Sequence, residues 1–156
     1  MKTDYRKQSR AKRTYTADPS AIYRVMSRIQ LFTPIELVKL QTPVRMAFES
    51  LRSGKGEETD FHTLAAAVNV SLIRSESIDQ LCVETCQRAQ DALMSVLARS
   101  KRIGKWGLDA AGLQDIPPAM DLHEQLLELS TPHQMQAAMR ETLRRMEAGH
   151  GIEVPA

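Results

Sequence analysis

Two four-residue stretches, "TPIE" at Thr33–Glu36 and "TPHQ" at Thr131–Gln134, constrain this chain more than anything else in it. Each sets a threonine before a proline, with Glu or Gln two places further on. That order spells a capping box. The Thr oxygen takes a first-turn backbone N–H, and the Glu or Gln side chain reaches back to the cap's own N–H. Proline at the first helical position gives up a donor that has no intrahelical partner anyway. Both stretches therefore read as helix starts. Stops stand at Gly54, Gly104 and Gly149, where glycine suits the left-handed residue that closes a helix.

The spacing between these signals is helical. Asp18-Pro19 reads as a start, with Asp18 as the cap and Ile22, Val25, Met26 and Ile29 as an inward stripe. Thr42-Pro43 either starts a new helix or kinks the one from Thr33. Downstream, Phe61, Leu64, Ala65, Val68 and Leu72 form one stripe, and Ala66, Ala67, Val70 and Ile73 cover most of the rest. A helix apolar nearly all round belongs at the centre, and Asn69 within it then needs a hydrogen-bond partner. The longest pattern runs from Ile78 to Ile103. Ile78, Cys82, Thr85, Ala89, Ala92 and Val96 alternate spacings of four and three, and Leu81, Leu93 and Leu97 widen that face.

"KWGLDAAG" at Lys105–Gly112 reads as a loop. The next helix is expected to begin near Pro117, with the pattern upstream as a kinked first part, and to carry Leu122, Leu126 and Leu129. The last helix places Met135, Met139, Thr142 and Met146 on a seam, which with Met120 reads as core packing, although Met-rich faces also serve as adaptable binding surfaces. Aromatic residues make up only 4% of the chain, and sheets collect aromatic and β-branched residues. No stretch reads as a strand and no repeat recurs at a fixed period. The expected fold is all-α: a single-domain bundle of about six helices over 18–149, with a basic, flexible N-terminal arm over 1–17 and a short tail over 150–156.

The arm holds Lys2, Arg6, Lys7, Arg10, Lys12 and Arg13 against one acid, Asp4, while the rest of the chain is slightly acidic. No apolar stretch follows these charges, so they do not form a secretory signal. No apolar run is long enough for a membrane span. The expectation is a cytoplasmic protein with no membrane partner.

Three groups of residues in the helical part, and the basic arm, are candidates for chemistry. Cys82 and Cys86, the only cysteines, sit four apart on one helical face. They could supply half of a tetrahedral zinc site, but no spaced histidine pair completes it and the redox spacing C-x-x-C is missing. Packing is the favoured reading, with Cys82 in the seam. The second group is "RSKRIGKW", with Arg99, Lys101, Arg102, Lys105 and the only tryptophan, Trp106. Cations beside an aromatic can hold a phosphate backbone and stack a base, although cations also complement a helix C-terminus. The arm, with Tyr5 and Tyr15, could likewise hold phosphates. The third group is "DLHEQ", where Asp121 and Glu124 share a face beside His123. No nucleophile or phosphate loop accompanies it. No catalytic role, metal or cofactor is expected.

Two longer stretches, "AFESLRSGKGEETDFHTLAAAVN" followed by "AQDAL", and "DLHEQLLELSTPHQMQAAMRETLRRME", together resemble uncharacterised small helical proteins encoded by proteobacterial prophages and other mobile elements. The resemblance covers residues 35–147; "IPPAM" departs from it, where a continuous helix would run. It implies a genomic setting rather than a reaction. Small accessory proteins of such elements often act by binding something of the host's. The leading expectation is therefore a non-enzymatic accessory protein that binds a host or element-encoded protein, with modulation or inhibition of a defence or regulatory process as its role. A nucleic-acid- or nucleotide-binding protein, using the arm and Arg99–Trp106, is the alternative. Small residues such as Ala89 and Ala92 would allow close helix approach, within the subunit or in a homo-oligomer.

Overall fold

A computed structural model describes residues 18 and 20–149 of the 156. The basic arm over 1–17 and the tail over 150–156 lie outside the described residues. Six helices follow one another: α1 (Ala21–Ile29), α2 (Pro34–Arg52), α3 (Glu58–Ser75), α4 (Gln80–Ile103), α5 (Ala110–Leu129) and α6 (Pro132–Glu147). Among the described residues there is no strand, only an isolated antiparallel bridge between Gly56 and Trp106.

Both capping boxes form. The Thr33 hydroxyl accepts from Glu36 N–H and the Glu36 carboxylate accepts from Thr33 N–H. Thr131 and Gln134 repeat the exchange at α6. Gly54, Gly104 and Gly149 all have positive φ, each just past a helix end, as their positions predict. α3 is the central helix and packs against α2, α4, α5 and α6. Its Phe61, Leu64, Ala65 and Val68 are buried. The buried Asn69 accepts from Gln90 Nε2 of α4 at 2.8 Å, which satisfies its side-chain oxygen.

Several expectations are corrected. α1 begins at Ala21 rather than at Asp18-Pro19, and the Asp18 carboxylate instead accepts from Ser20 and Arg24. Its apolar stripe does not face the core: Ile22, Val25 and Ile29 are 55–70% exposed. The pattern told which face wants cover, and no neighbouring helix supplies it. α5 begins at Ala110, capped by Asp109, whose carboxylate accepts from Gly112 N–H. Ala110–Gly112 is thus helix rather than loop, and α5 runs unbroken through Pro117 and Pro118. Each proline removes one i→i−4 bond, and the freed carbonyls belong to Leu113 and Gln114, both exposed. Pro43 likewise sits inside a continuous α2, freeing the carbonyl of the exposed Lys39. Leu129 is exposed rather than inward.

On α4 the predicted seam is one residue out of phase at its start. Ile78 precedes the helix and is exposed, and so is Leu81. The inward line is Val83, Cys86, Ala89, Leu93, Val96 and Ser100. Cys86, not Cys82, is the buried cysteine. On α6 the inward residues are Met135, Ala138 and Thr142, while Met139 and Met146 stand open.

One joint closes the end of the bundle near the α2–α3 turn. Leu108 N–H donates to the carbonyl of Leu51, which is wholly buried. Gly56 lies against the same residue: a Cβ there would strike the Leu51 side chain and reach 3.0 Å from its Cα. Only glycine permits this approach. The bridge to Trp106 follows from it and ties the α2–α3 turn to the α4–α5 loop.

Candidate functional site: a groove between α3 and α6

α3 and α6 meet along Thr142 and part above it. The gap has a volume of about 260 Å³ and is lined by His62, Ala65, Ala66, Asn69, Val70, Met139, Thr142, Leu143 and Met146. Ala65, Ala66 and Val70 of α3 give it a floor of small side chains. Its wall on α6 is Met139, Leu143 and Met146, each 41–53% exposed. Methionine is unbranched and adaptable, and such walls re-form around different apolar shapes. Two polar atoms at the floor are already engaged. Thr142 donates to the Ala138 carbonyl at 2.9 Å, and Asn69 accepts from Gln90.

The wall is held in place at its C-terminal end. Arg145 donates to both carboxylate oxygens of Glu76, at the end of α3, and its Nε donates to Glu141. Hydrogen bonds from Arg144 and Arg145 hold the Glu141 carboxyl down at about 2, well below the usual carboxylate range. α6 is thus pinned to the end of α3 by one guanidinium, and the groove lies beside that pin.

The other candidates are placed as follows. Arg99 is half-buried; Lys101, Arg102 and Lys105 are exposed, and among the described residues none of the four makes an ion pair. The joint sets Lys55, also without an ion pair, on the turn bridged to Trp106. Trp106 is half-buried, its ring 5.2 Å from that of Phe61 and tilted by 36°, so part of the indole is spent on the core. Lys2, Arg6, Lys7, Arg10, Lys12 and Arg13 lie outside the described residues.

His123 does not join Asp121 and Glu124. It turns inward to the hydroxyl of Ser71, while Glu124 pairs with Arg45 of α2 and Asp121 is exposed. Burial pushes the imidazole down to about 4, so it is neutral at pH 7. Burial also pushes the Cys86 thiol up to about 11. Among the described residues no group of three or more His, Cys, Asp and Glu side chains gathers with ligand geometry.

The sequence did not single out the groove. Its two sides lie some seventy residues apart, and periodicity puts Met139 and Met146 in the core seam. The local signals are the run of alanines on α3 and the methionines of α6, a residue type that also builds adaptable binding surfaces.

Among the described residues no helix is long and apolar enough to cross a membrane. No known protein family, curated protein or solved structure matches this chain.

Proposed function

We propose that this protein acts by binding another protein, as an accessory factor without catalysis of its own, and that a helix of the partner lies in the groove between α3 and α6. The observation that carries this reading is the groove's construction: a floor of small side chains at Ala65, Ala66 and Val70 and an adaptable Met-Leu-Met wall, with the Asn69 side-chain oxygen and the Thr142 hydroxyl already hydrogen-bonded. Such a surface suits an amphipathic helix with apolar anchors at i, i+3/i+4 and i+7. The resemblance to mobile-element proteins makes a host protein of a defence or regulatory process the partner to look for first.

Retention from host lysate, compared between the native chain and two variants, tests this. Ala66→Arg fills the floor and Leu143→Glu charges the wall; both residues are exposed, so neither change disturbs the core. A specific protein retained by the native chain, cross-linked to α3 or α6, and lost with both variants is the expected result. Retention that ignores both substitutions would refute the groove.

A second reading rests on one observation: Lys55, Arg99, Lys101, Arg102 and Lys105 carry charge with no ion pair among the described residues. Together with the arm they would hold a nucleic-acid backbone. That reading requires steeply salt-dependent binding of DNA or RNA, weakened by Arg102→Glu and Lys105→Glu. Failure to bind at low salt eliminates it.

A further inference from the structure

One polar atom in the groove's floor has no partner in the protein. Asn69 is buried, with 8% of its surface exposed. Its side-chain oxygen accepts from Gln90 Nε2, but among the described residues nothing accepts from its amide nitrogen. That nitrogen is not sealed off either. Among the described residues, Ser75 Oγ is the buried side-chain polar atom with neither a partner nor solvent. Asn69 lines two openings: the groove itself, and a smaller gap of about 40 Å³ that reaches Gln90 of α4. The two openings share Asn69, Thr142 and Met146, and Arg145 borders the smaller one. Gln90 thus holds the carboxamide by its oxygen and leaves its nitrogen to the openings.

The neighbours decide what would satisfy it. A carboxamide nitrogen brings two N–H donors. Arg145 uses three of a guanidinium's five donors, on Glu76 and Glu141. Gln90 Oε1 accepts from nothing among the described residues. The gap therefore holds surplus donors beside one acceptor. An apolar side chain placed there would leave all of them unpaired, which is costly for buried groups. A carboxylate would meet the donors but set its charge against Gln90 Oε1, and Arg145 is already matched by two carboxylates. A carboxamide answers both needs. Its oxygen accepts from Asn69, and its nitrogen donates to Gln90.

We infer that Asn69 sets the specificity of the groove, by selecting a partner helix that carries a glutamine or asparagine among its apolar anchors. The inference rests on the groove reading and names a feature the partner must have. The Met-Leu-Met wall and the small floor take the anchors, and any apolar side chain of the right size serves there. The Asn69–Gln90 pair reads the polar side chain between them. A site built to hydrogen-bond rejects an apolar substitute because its own polar groups are then left unpaired. Leucine in place of the partner's glutamine should weaken binding on the order of tenfold.

Selection on the full chain from a displayed library of amphipathic helical peptides, random between fixed leucine anchors, tests it. Among peptides that the native chain retains and Ala66→Arg releases, one position should be enriched in glutamine or asparagine. Reselection against Asn69→Leu should put an apolar residue there. Asn69→Asp keeps the acceptor for Gln90 Nε2 and removes the donor, so it should bring lysine or arginine to that position. The Asp variant serves if the Leu variant does not fold. Groove-binding peptides with no amide preference, the result if water alone satisfies the nitrogen, overturn the inference and leave the groove standing. A profile that neither substitution changes overturns it too. If Ala66→Arg releases no retained peptide, the groove reading falls and this inference falls with it.

Discussion

Nδ1 of His123 on α5 lies 2.8 Å from the hydroxyl of Ser71 on α3. The same hydroxyl donates to the Ala67 carbonyl at 2.7 Å, so it accepts from the imidazole and fixes the proton on Nδ1. A neutral ring therefore links two core helices, and a charged one is opposed by its burial.

Acid should loosen the fold before the carboxylates titrate. The folded imidazole titrates near 4, below its unfolded value near 6.5, so the unfolded chain binds more protons in between. Stability should be full above about pH 6.5 and fall as pH drops toward 4, by at most about 3 kcal/mol. Urea unfolding at pH 7.0, 6.0 and 5.0 checks this. His123→Leu should flatten the slope in that window; an equal slope in both proteins would assign the effect elsewhere.

The joint predicts intolerance at Gly56. Gly56→Ala should cost about 1–3 kcal/mol, as forced overpacking does, because Leu51 is wholly buried and cannot move aside. Thermal melts followed by circular dichroism should show a midpoint lower by several degrees. An unchanged midpoint would mean that the turn has room the structure does not show.

The two cysteines should part company in a labelling experiment. Cys82 is half-buried and should react with a maleimide in the native protein. Cys86 is fully buried, with its thiol pushed up to about 11, so it should react only on unfolding. Cys86→Ser should cost roughly 1–3 kcal/mol by placing a hydroxyl in the core, and Cys82→Ser much less. Equal native labelling rates would contradict the phase of α4.

Arg145 should govern α6 locally rather than the fold globally. Arg145→Met removes the bonds to Glu76 and Glu141, all at partly exposed positions. Hydrogen exchange should quicken in the last two turns of α6 while the melting midpoint barely moves. Raising salt should bring the native protein part of the way toward the variant. Uniform quickening across all six helices would refute a local pin.

What the sequence made legible was local. Thr33 with Glu36 and Thr131 with Gln134 make bonds within three residues, and a positive-φ glycine closes its own helix, so no distant partner was needed to read them. Periodicity was weaker. It marked the apolar face of α1 but had no means of knowing that nothing arrives to cover it. On α4 it ran one residue out of phase at the start, because Ile78 belongs to the turn and Val83 to the core. Pro117-Pro118 read as a break because the cost of a proline depends on whether the freed carbonyls belong to exposed residues. The groove was out of reach for a different reason. His62 to Val70 and Met139 to Met146 become neighbours only through packing. Meanwhile Trp106, read beside its basic neighbours, also turned partly toward Phe61.

That last placement gives the molecule an optical property. The chain has one tryptophan, and it sits at the seam where the α2–α3 turn meets the α4–α5 loop. Its emission should therefore register a single event, the closing of that end of the bundle. It should redden when the seam opens, with no background from any other indole. A refolding trace by fluorescence, set beside one by circular dichroism, would show whether the helices form before this end is latched.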